Sequence, residues 1–402
     1  MSWLSIIGIG EDGVSGLSPA ARAVVERAEV LIGGARHLDM IPSSAAKRLR
    51  WASPLEATLP EIETHRGRRV VVLASGDPMW FGIGATLVRH FASANMTILP
   101  HTGAFSLAAA RLGWPLADTA TISLHGRPLE VLALNLTPGA RVLALSENGS
   151  TPEAVARYLA ANGWGPSELT VLEHLGGTSE RRLDGTAAEW RHPPCADLNT
   201  LAIVCRPGPK AVVLPRTPGL SDDAFVHDGQ LTKREVRAAT LAALAPMPAQ
   251  ILWDVGAGSG SIGIEWMRAA DRATAIAIER DDARRDYIAR NAAALGVPGL
   301  RIVPGDAPAA LAGLPAPDAV FIGGGLSTPQ LAETCLSALK PGGRLVVNAV
   351  TLEGEAALVA LRGRHGGELV RLAISRAAPV GPFQGWRSLM PVTQWALRKS
   401  HG

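Results

Sequence analysis

The stretch Ile251-Leu252-Trp253-Asp254-Val255-Gly256-Ala257-Gly258-Ser259-Gly260-Ser261 decides how this chain is read. An apolar run closes on Asp254, and three glycines follow at every second position. Ile262-Gly263-Ile264-Glu265-Trp266-Met267-Arg268 then has the spacing of an amphipathic helix. The order predicts a strand, a tight turn and a helix. Glycine lets such a turn bend sharply and lets the backbone approach a ligand closely. In a dinucleotide site the same turn feeds a pyrophosphate onto the helix N-terminus. Here the pattern is D-x-G-x-G-x-G, and an acid ahead of the glycines repels a pyrophosphate but suits a cationic amino-acid ligand. Asp254, Gly256, Ala257, Gly258, Ser259 and Gly260 are therefore candidate ligand contacts. The competing reading is a plain structural link between strand and helix.

This stretch resembles motif I of the Rossmann-like S-adenosylmethionine methyltransferases, and the strands that follow extend the resemblance. Thr274-Ala275-Ile276-Ala277-Ile278-Glu279 is a short apolar strand ending in an acid, about twenty residues after the glycines, where a carboxylate reaches a ribose diol. The alternative for Glu279 is a helix cap, because Asp281-Asp282 and a helix to Leu295 follow. Ile302-Val303-Pro304-Gly305-Asp306-Ala307-Pro308 is a further strand end, with Asp306 expected towards the adenine amino group and Ala307 as a backbone donor. Asp318 to Ile322 opens into the glycine loop Gly323-Gly324-Gly325. A helix over 328–339 stops at Lys340-Pro341-Gly342-Gly343, and a strand over 344–350 follows. Alternation of strand and helix implies α/β architecture, with a mostly parallel seven-stranded sheet covered on both faces.

At 402 residues the chain can form two domains with full cores. With 47% hydrophobic and 19% charged residues it is globular rather than disordered. No apolar run has the length of a bilayer span, so no membrane partner is expected. The opening Met1 to Gly8 lacks the basic start of a signal peptide, so the cytoplasm is expected. Three scattered cysteines, Cys195, Cys205 and Cys335, do not make a disulfide framework or a zinc site, and no metal is expected. The net charge of +3 is spread over both halves, so no nucleic-acid surface is evident.

The first half is also strand and turn in alternation. Ile6-Ile7-Gly8-Ile9-Gly10-Glu11 runs into a glycine turn, and Ser18-Pro19 starts a helix. Val70 to Ala74 ends at Ser75-Gly76-Asp77-Pro78, and Met96 to Pro100 is followed by His101-Thr102-Gly103-Ala104 and a helix over 105–112. Strands are expected at Arg141–Leu145, Thr170–Glu173 and Asn199–Val204. In this order the pieces resemble the tetrapyrrole methylase family over nearly all of residues 3–206. The opening G-x-G turn, the S-G-D-P turn and the turn at 100–104 carry the resemblance. It implies two α/β lobes with the methyl donor in the cleft between them. Donor contacts are implied at Gly8, Gly10, Ser75, Gly76, Asp77, Trp80, Gly103, Ala104, Glu147 and Gly176. The competing role for Asp77 is a turn residue bonding its own backbone. The chain departs from the family pattern at Pro100-His101-Thr102-Gly103-Ala104 and at Gly8-Ile9-Gly10-Glu11, which bears on side-chain contacts more than on backbone ones.

Residues 208–221 are rich in Pro and Gly and read as a linker between domains at 1–207 and 222–402. Thr232 with Glu235 three residues on forms a capping-box pattern, and this lead-in loop is also expected to lie over the donor and acceptor sites. A tetrapyrrole methylase joined to a Rossmann-like domain with T-K-R-E-V-R and G-D-A-P turns resembles the bifunctional, decarboxylating precorrin methyltransferases of cobalamin synthesis. That resemblance implies one S-adenosylmethionine per domain and a carboxylate-rich tetrapyrrole as acceptor. It further implies methylation at C5 by the first domain, methylation at C15 with loss of the C12 acetate carboxylate in the second, and a homo-oligomer built through the second domain. Enamine-like acceptor carbons need no activated side-chain nucleophile, so proximity and orientation carry the transfer. Decarboxylation needs an acid nearby, for which His227, Lys233 and Glu235 are candidates. Arginines that grip carboxylates bidentately should line the acceptor site, with Arg234, Arg237 and Arg387 the choices. The flexible 379–387 loop with Trp386 is suited to covering a flat ring. Two other readings stay open: an RNA methyltransferase, against which stand the near-neutral charge and the missing N-P-P-[YF] run, and a domain that binds donor or corrinoid without catalysis.

Overall fold

The computed structural model describes residues 2–91, 95–326 and 328–400. Contacts divide the chain into two units, residues 1–129 with 137–212 and residues 130–136 with 213–402.

The first unit holds two five-stranded sheets. β1 (Leu4–Ile9), β2 (Val30–Gly33), β3 (Lys47–Arg50), β4 (Val70–Ser75) and β5 (Met96–Leu99) form one, in the order β3-β2-β4-β1-β5 and parallel throughout. Helices α1 (Pro19–Glu26), α2 (Ala35–Asp39), α3 (Leu59–Thr64) and α4 (Ile83–His90) connect its strands, and α5 (Ala104–Leu112) leads on from β5. β1 and β4 are apolar along almost their whole length because helices cover both faces of the sheet. α1 starts as its sequence dictates: Pro19 occupies the first turn and the Ser18 hydroxyl accepts the Ala21 N–H. The second sheet contains β6 (Ala120–Ser123), β7 (Arg141–Leu145), β8 (Glu168–Glu173), β9 (Arg181–Thr186) and β10 (Asn199–Val204), in the order β6-β7-β10-β8-β9. Only β6 and β7 are parallel. α6 (Thr151–Ala161) links β7 to β8. Sequence reading missed β3, β6 and β9. All three are edge strands, and β3 (KRLR) and β9 (RRLDGT) carry the charged residues that protect an edge instead of an apolar run.

The second unit is a seven-stranded sheet with the order β13-β12-β11-β14-β15-β19-β16. Its strands are β11 (Ile251–Val255), β12 (Thr274–Glu279), β13 (Arg301–Pro304), β14 (Ala319–Ile322), β15 (Arg344–Ala349), β16 (Glu368–Leu372) and β19 (Val392–Arg398). The first five are mutually parallel, and β19 runs antiparallel to both neighbours, so the sheet is mixed at that end. Helices α7 (Arg234–Leu244), α8 (Ser261–Ala269), α9 (Asp282–Ala294), α10 (Leu331–Ala338) and α11 (Leu352–His365) pack against it. Alternate residues of β11 feed two cores: Leu252 packs with Trp266 and Phe321 on one face, and Trp253 and Val255 pack with Trp395 on the other. Each buried indole finds an acceptor, Trp253 on Pro315 O, Trp266 on Thr274 O and Trp395 on Gly366 O.

Three local expectations are corrected. The 379–387 segment is not a loop: β17 (Ser375–Val380) and β18 (Phe383–Ser388) pair as an antiparallel hairpin around Gly381-Pro382. Thr232 does not cap α7, whose N-cap is Lys233 without a side-chain bond. The Asp222 carboxylate accepts the Arg234 N–H instead, and Glu235 is drawn away by Arg376, because a carboxylate outcompetes a hydroxyl as acceptor and a guanidinium outcompetes a backbone N–H as donor. Residues 208–221 contain no helix or strand, but the second half of the stretch is bonded into the second unit. Arg268 donates to Leu214 O and Pro215 O, and the Glu265 carboxylate accepts the N–H groups of Gly219 and Leu220.

Candidate active sites

In the second unit the carboxyl ends of β11 to β14, with the start of α7, surround a cavity of about 980 Å³. Gly256, Gly258 and Gly260 have φ of +69°, +59° and +78°, so the turn after β11 needs glycine at all three. Gly256, Ala257, Gly258 and Ser259 line the cavity, whereas Gly260 faces Ile288, 3.0 Å from where a Cβ would stand. Asp254 does not line it either. It is fully buried beneath the turn, its Oδ2 accepts the Gly263 N–H at 2.9 Å, and its Oδ1 has no partner. Burial pushes this carboxyl up to about 7, the Glu279 charge adds to the rise, and the Gly263 bond opposes it.

Glu279 lines the cavity, with Oε2 accepting from Gly258 N (2.8 Å) and Oε1 from Asp281 N (3.0 Å). It is not the helix cap: Asp281 caps α9 by accepting the Arg284 N–H. Each carboxylate oxygen has a second lone pair, which leaves acceptors for a diol. Asp306, Ala307, Gly323, Gly324, Thr232 and Lys233 also line the cavity. Ser259 Oγ is buried there without a partner, and a Cβ on Gly324 would meet no atom within 4 Å. An unpaired buried hydroxyl and a glycine wall both fit a polar ligand that comes close to the backbone. Sequence reading missed Gln230, Arg280, Arg284 and Asn348, which line the same space. Arg284 pairs with Asp228 and Arg280 stands 3.6 Å from Asp306, partners that no local spacing reveals.

Several predicted site residues lie elsewhere. Arg237 is 0% exposed and spent on Glu265, Asp222, Thr232 O and Leu220 O, so it is a core ion-pair residue and not a substrate ligand. A buried guanidinium must satisfy its donors internally, and these four partners take four of its five N–H groups. Arg234 is exposed outside the cavity. Glu235 bonds Arg376 at 2.6 Å, which holds its carboxyl below the usual range. His227 Nδ1 accepts the Gly229 N–H and does not line the cavity. Trp386, 80% exposed, and Arg387 project from the hairpin, and only the residues at its base, Ile374, Leu389 and Met390, reach the cavity wall.

The first unit has its own cavity, about 1240 Å³, between its two sheets. Gly10, Ser75, Gly76, Asp77, Trp80, Gly103, Ala104 and Glu147 line it. Gly76 has φ +53°, and a Cβ there would stand 2.8 Å from Gly103 Cα, so the two turns touch through glycine. Gly8 serves packing instead. A Cβ on it would meet Gly76 O at 2.0 Å, so it seats β1 against that turn and does not line the cavity. Gly176 lies outside the lining, its N–H bonded to Glu180. Asp77 Oδ1 accepts the Met79 N–H at 2.8 Å, the turn role, while its residue still faces the cavity.

Ser75, one of the predicted contacts, belongs to a polar cluster whose other members escaped the sequence. Arg36 bonds Glu11 and donates to Ser75 Oγ, His37 Nε2 stands 2.9 Å from the same hydroxyl, and His174 Nδ1 stands 2.8 Å from Glu11 Oε2. Burial, then the Arg36 charge, pushes the His37 imidazole down to about 4, so it is neutral at physiological pH. Among the described residues no group of three or more His, Cys, Asp or Glu could hold a metal ion, and no helix is long and apolar enough to cross a membrane.

The comparisons agree with this two-part construction. The family model for tetrapyrrole (corrin/porphyrin) methylases matches residues 4–190, and that for the precorrin methyltransferase domain matches residues 223–399. A precorrin-6Y C(5,15)-methyltransferase (decarboxylating) from Sinorhizobium sp. is 51% identical over 99% of this chain and 96% of its own length. Two shorter relatives from Salmonella typhimurium are each 33% identical. A cobalt-precorrin-7 C(5)-methyltransferase covers 44% of this chain and 88% of its own length, and a cobalt-precorrin-6B C(15)-methyltransferase (decarboxylating) covers 45% and 96%. Membership of a methyltransferase family implies S-adenosylmethionine as donor. With near-complete coverage at that identity, the chain belongs to the precorrin-6Y C(5,15)-methyltransferase (decarboxylating) family.

Proposed function

We propose that the chain methylates a precorrin at C5 in residues 1–207 and at C15 in residues 222–402, with release of the C12 acetate carboxylate as carbon dioxide in the second domain. One S-adenosylmethionine serves each domain. The observation that carries this reading is the pair of separate cavities, each walled by its own glycine turns and acidic residues. The two family models and the separately named C(5) and C(15) relatives support the division.

When bound, S-adenosylmethionine supplies a methyl group on a sulfonium. In the second cleft Glu279 and Asp306 offer acceptors to the ribose and the adenine amino group, Ser259 Oγ offers a free hydroxyl, and residues 229–233 exclude water. In the first, the touching turns at Gly76 and Gly103 bring backbone close to the donor. The acceptor carbons are nucleophilic already, so the clefts contribute orientation and dryness. In decarboxylation the bond between the acetate methylene and its carboxylate breaks, and the electron pair enters a ring made electron-poor by a proton. Of the three candidate acids only Lys233 lines the cavity, and among the described residues its ammonium has no acidic partner. Lys233 is the proposed proton source. A homo-oligomer through the second domain follows from the family resemblance alone.

The test is product mass from the full chain with precorrin-6B and donor, for the wild type and Lys233→Gln. The wild type should give two added methyls and the loss of one carboxylate. The variant should keep donor binding and C15 methylation but lose at least about a hundredfold in carbon dioxide release, the range for removing a positioned acid. Unchanged release would remove Lys233 from the role, and a wild type that gains no methyl would overturn the assignment itself.

A further inference from the structure

The mouth of the first cleft carries exposed apolar side chains beyond Trp80, the one that the family resemblance gives to the donor. Trp80, Phe81 and Leu116 are all cavity-lining, yet 57%, 43% and 40% exposed. Trp80 and Phe81 follow β4 in the first sheet's turn, whereas Leu116 comes from the segment before β6, so the two lobes of the unit bring the patch together. Phe81 has φ +56°, a left-handed conformation that a bulky side chain adopts only when its surroundings impose it. Its ring meets Trp80 and Phe105 edge-on, each at 6.0 Å between centroids. The Arg127 guanidinium lies over the same ring, 5.3 Å from its centroid. Among the described residues Arg127 has no carboxylate partner, in contrast to Arg36, Arg111 and Arg181 of the same unit.

We propose that Arg127, seated on Phe81, is the carboxylate clamp of an acceptor subsite at the mouth of the first cleft. The occupant is a flat conjugated ring with a carboxylate-bearing periphery. The ring's apolar body lies against Trp80 and Leu116, and one peripheral carboxylate takes the free N–H edge of Arg127. Stacking on an aromatic face leaves the planar donor edge of a guanidinium available for a bidentate pair. An exposed apolar patch beside an uncompensated cation matches that ligand in both halves of its chemistry. Arg127 therefore acts on specificity, and Phe81 is a positioning residue that works through it. The inference rests on the first cleft being a methylation site, as proposed above.

The experiment is steady-state C5 methylation by the full chain, with Arg127→Gln, Arg127→Lys and Phe81→Leu, and donor affinity followed separately by calorimetry. Arg127→Gln should raise the acceptor KM by about tenfold or more, the worth of one charged hydrogen-bonded contact, with kcat and donor affinity within twofold. Arg127→Lys should recover only part of the loss, because an ammonium neither stacks nor grips bidentately. Phe81→Leu should raise KM in the same direction. A peripherally esterified acceptor should bind the wild type more weakly but distinguish little between wild type and Arg127→Gln. An unchanged KM in Arg127→Gln, with wild-type C5 methylation intact, overturns the clamp. Absence of C5 methylation in the wild type overturns instead the reading on which it rests.

Discussion

The two clefts reach similar ends with different amounts of chain. In the second unit the predicted donor contacts that line the cleft, Thr232 apart, sit at the carboxyl ends of β11, β12, β13 and β14, neighbouring parallel strands, so they emerge on one edge of one sheet. Along the chain they fall in order as 256–259, 279, 306–307 and 323–324. In the first unit one wall follows that rule, with turns after β1, β4 and β5. The other wall comes from a mostly antiparallel sheet, where neighbouring strands present opposite ends to the same edge. Leu145 and Leu172 reach the cavity from the ends of β7 and β8, whereas Asn199 and Thr200 reach it from the start of β10. A cleft on a parallel edge can be read as a series of strand ends, while a cleft on an antiparallel edge includes strand beginnings that carry no turn signature.

The strongest way to break the comparison is to close one cleft. Gly258→Val adds a β-branched residue at φ +59°, straining the turn as well as filling space beside the cavity. It should abolish donor binding in the second cleft, together with C15 methylation and carbon dioxide release, and leave the first cleft's donor binding and C5 methylation. Circular dichroism guards against global misfolding, and loss of both methylations in a folded variant would mean that the clefts are not independent.

A smaller change sharpens it. Glu279→Ala removes the carboxylate that holds Gly258 N and Asp281 N and faces the cavity. Donor affinity in the second cleft should fall by about 1–3 kcal/mol, so that calorimetry resolves one weakened and one unchanged class of site. A single class with unaltered affinity would remove the second site.

The smallest effect concerns pH. The folded Asp254 carboxyl is raised from its ordinary value to about 7, chiefly by burial. The folded state therefore holds this proton more tightly than the unfolded chain. The stability it contributes is complete below about 4, the ordinary aspartate value, and lost as pH rises through about 7. Asp254→Asn does not titrate, so the variant should gain on the wild type in urea midpoint between pH 5 and pH 8. A pH-independent difference would show that Asp254 is ionised throughout. On the wall of the first cleft the half-buried His37 imidazole is shifted the other way, down to about 4.

By itself the sequence determined the strand-turn-helix units, because apolar periodicity and glycine placement act through adjacent residues. Short apolar runs bounded by turn residues, such as 70–74 and 251–253, read as covered strands, and the D-x-G-x-G-x-G turn needs the backbone that its glycines permit. Tertiary structure decided which charged and polar side chains face a cleft. Arg237 looks like any helix arginine until Glu265, 28 residues on, takes it into the core. The Glu11 carboxylate joins the first cleft's wall through Arg36 and His174, the second of these 163 residues away. The hairpin at 375–388 forms by pairing its own two strands, and its base meets the second cavity only through the fold. Local pattern fixes backbone conformation through φ and ψ, whereas a long flexible charged side chain takes whichever partner the fold brings within hydrogen-bond distance.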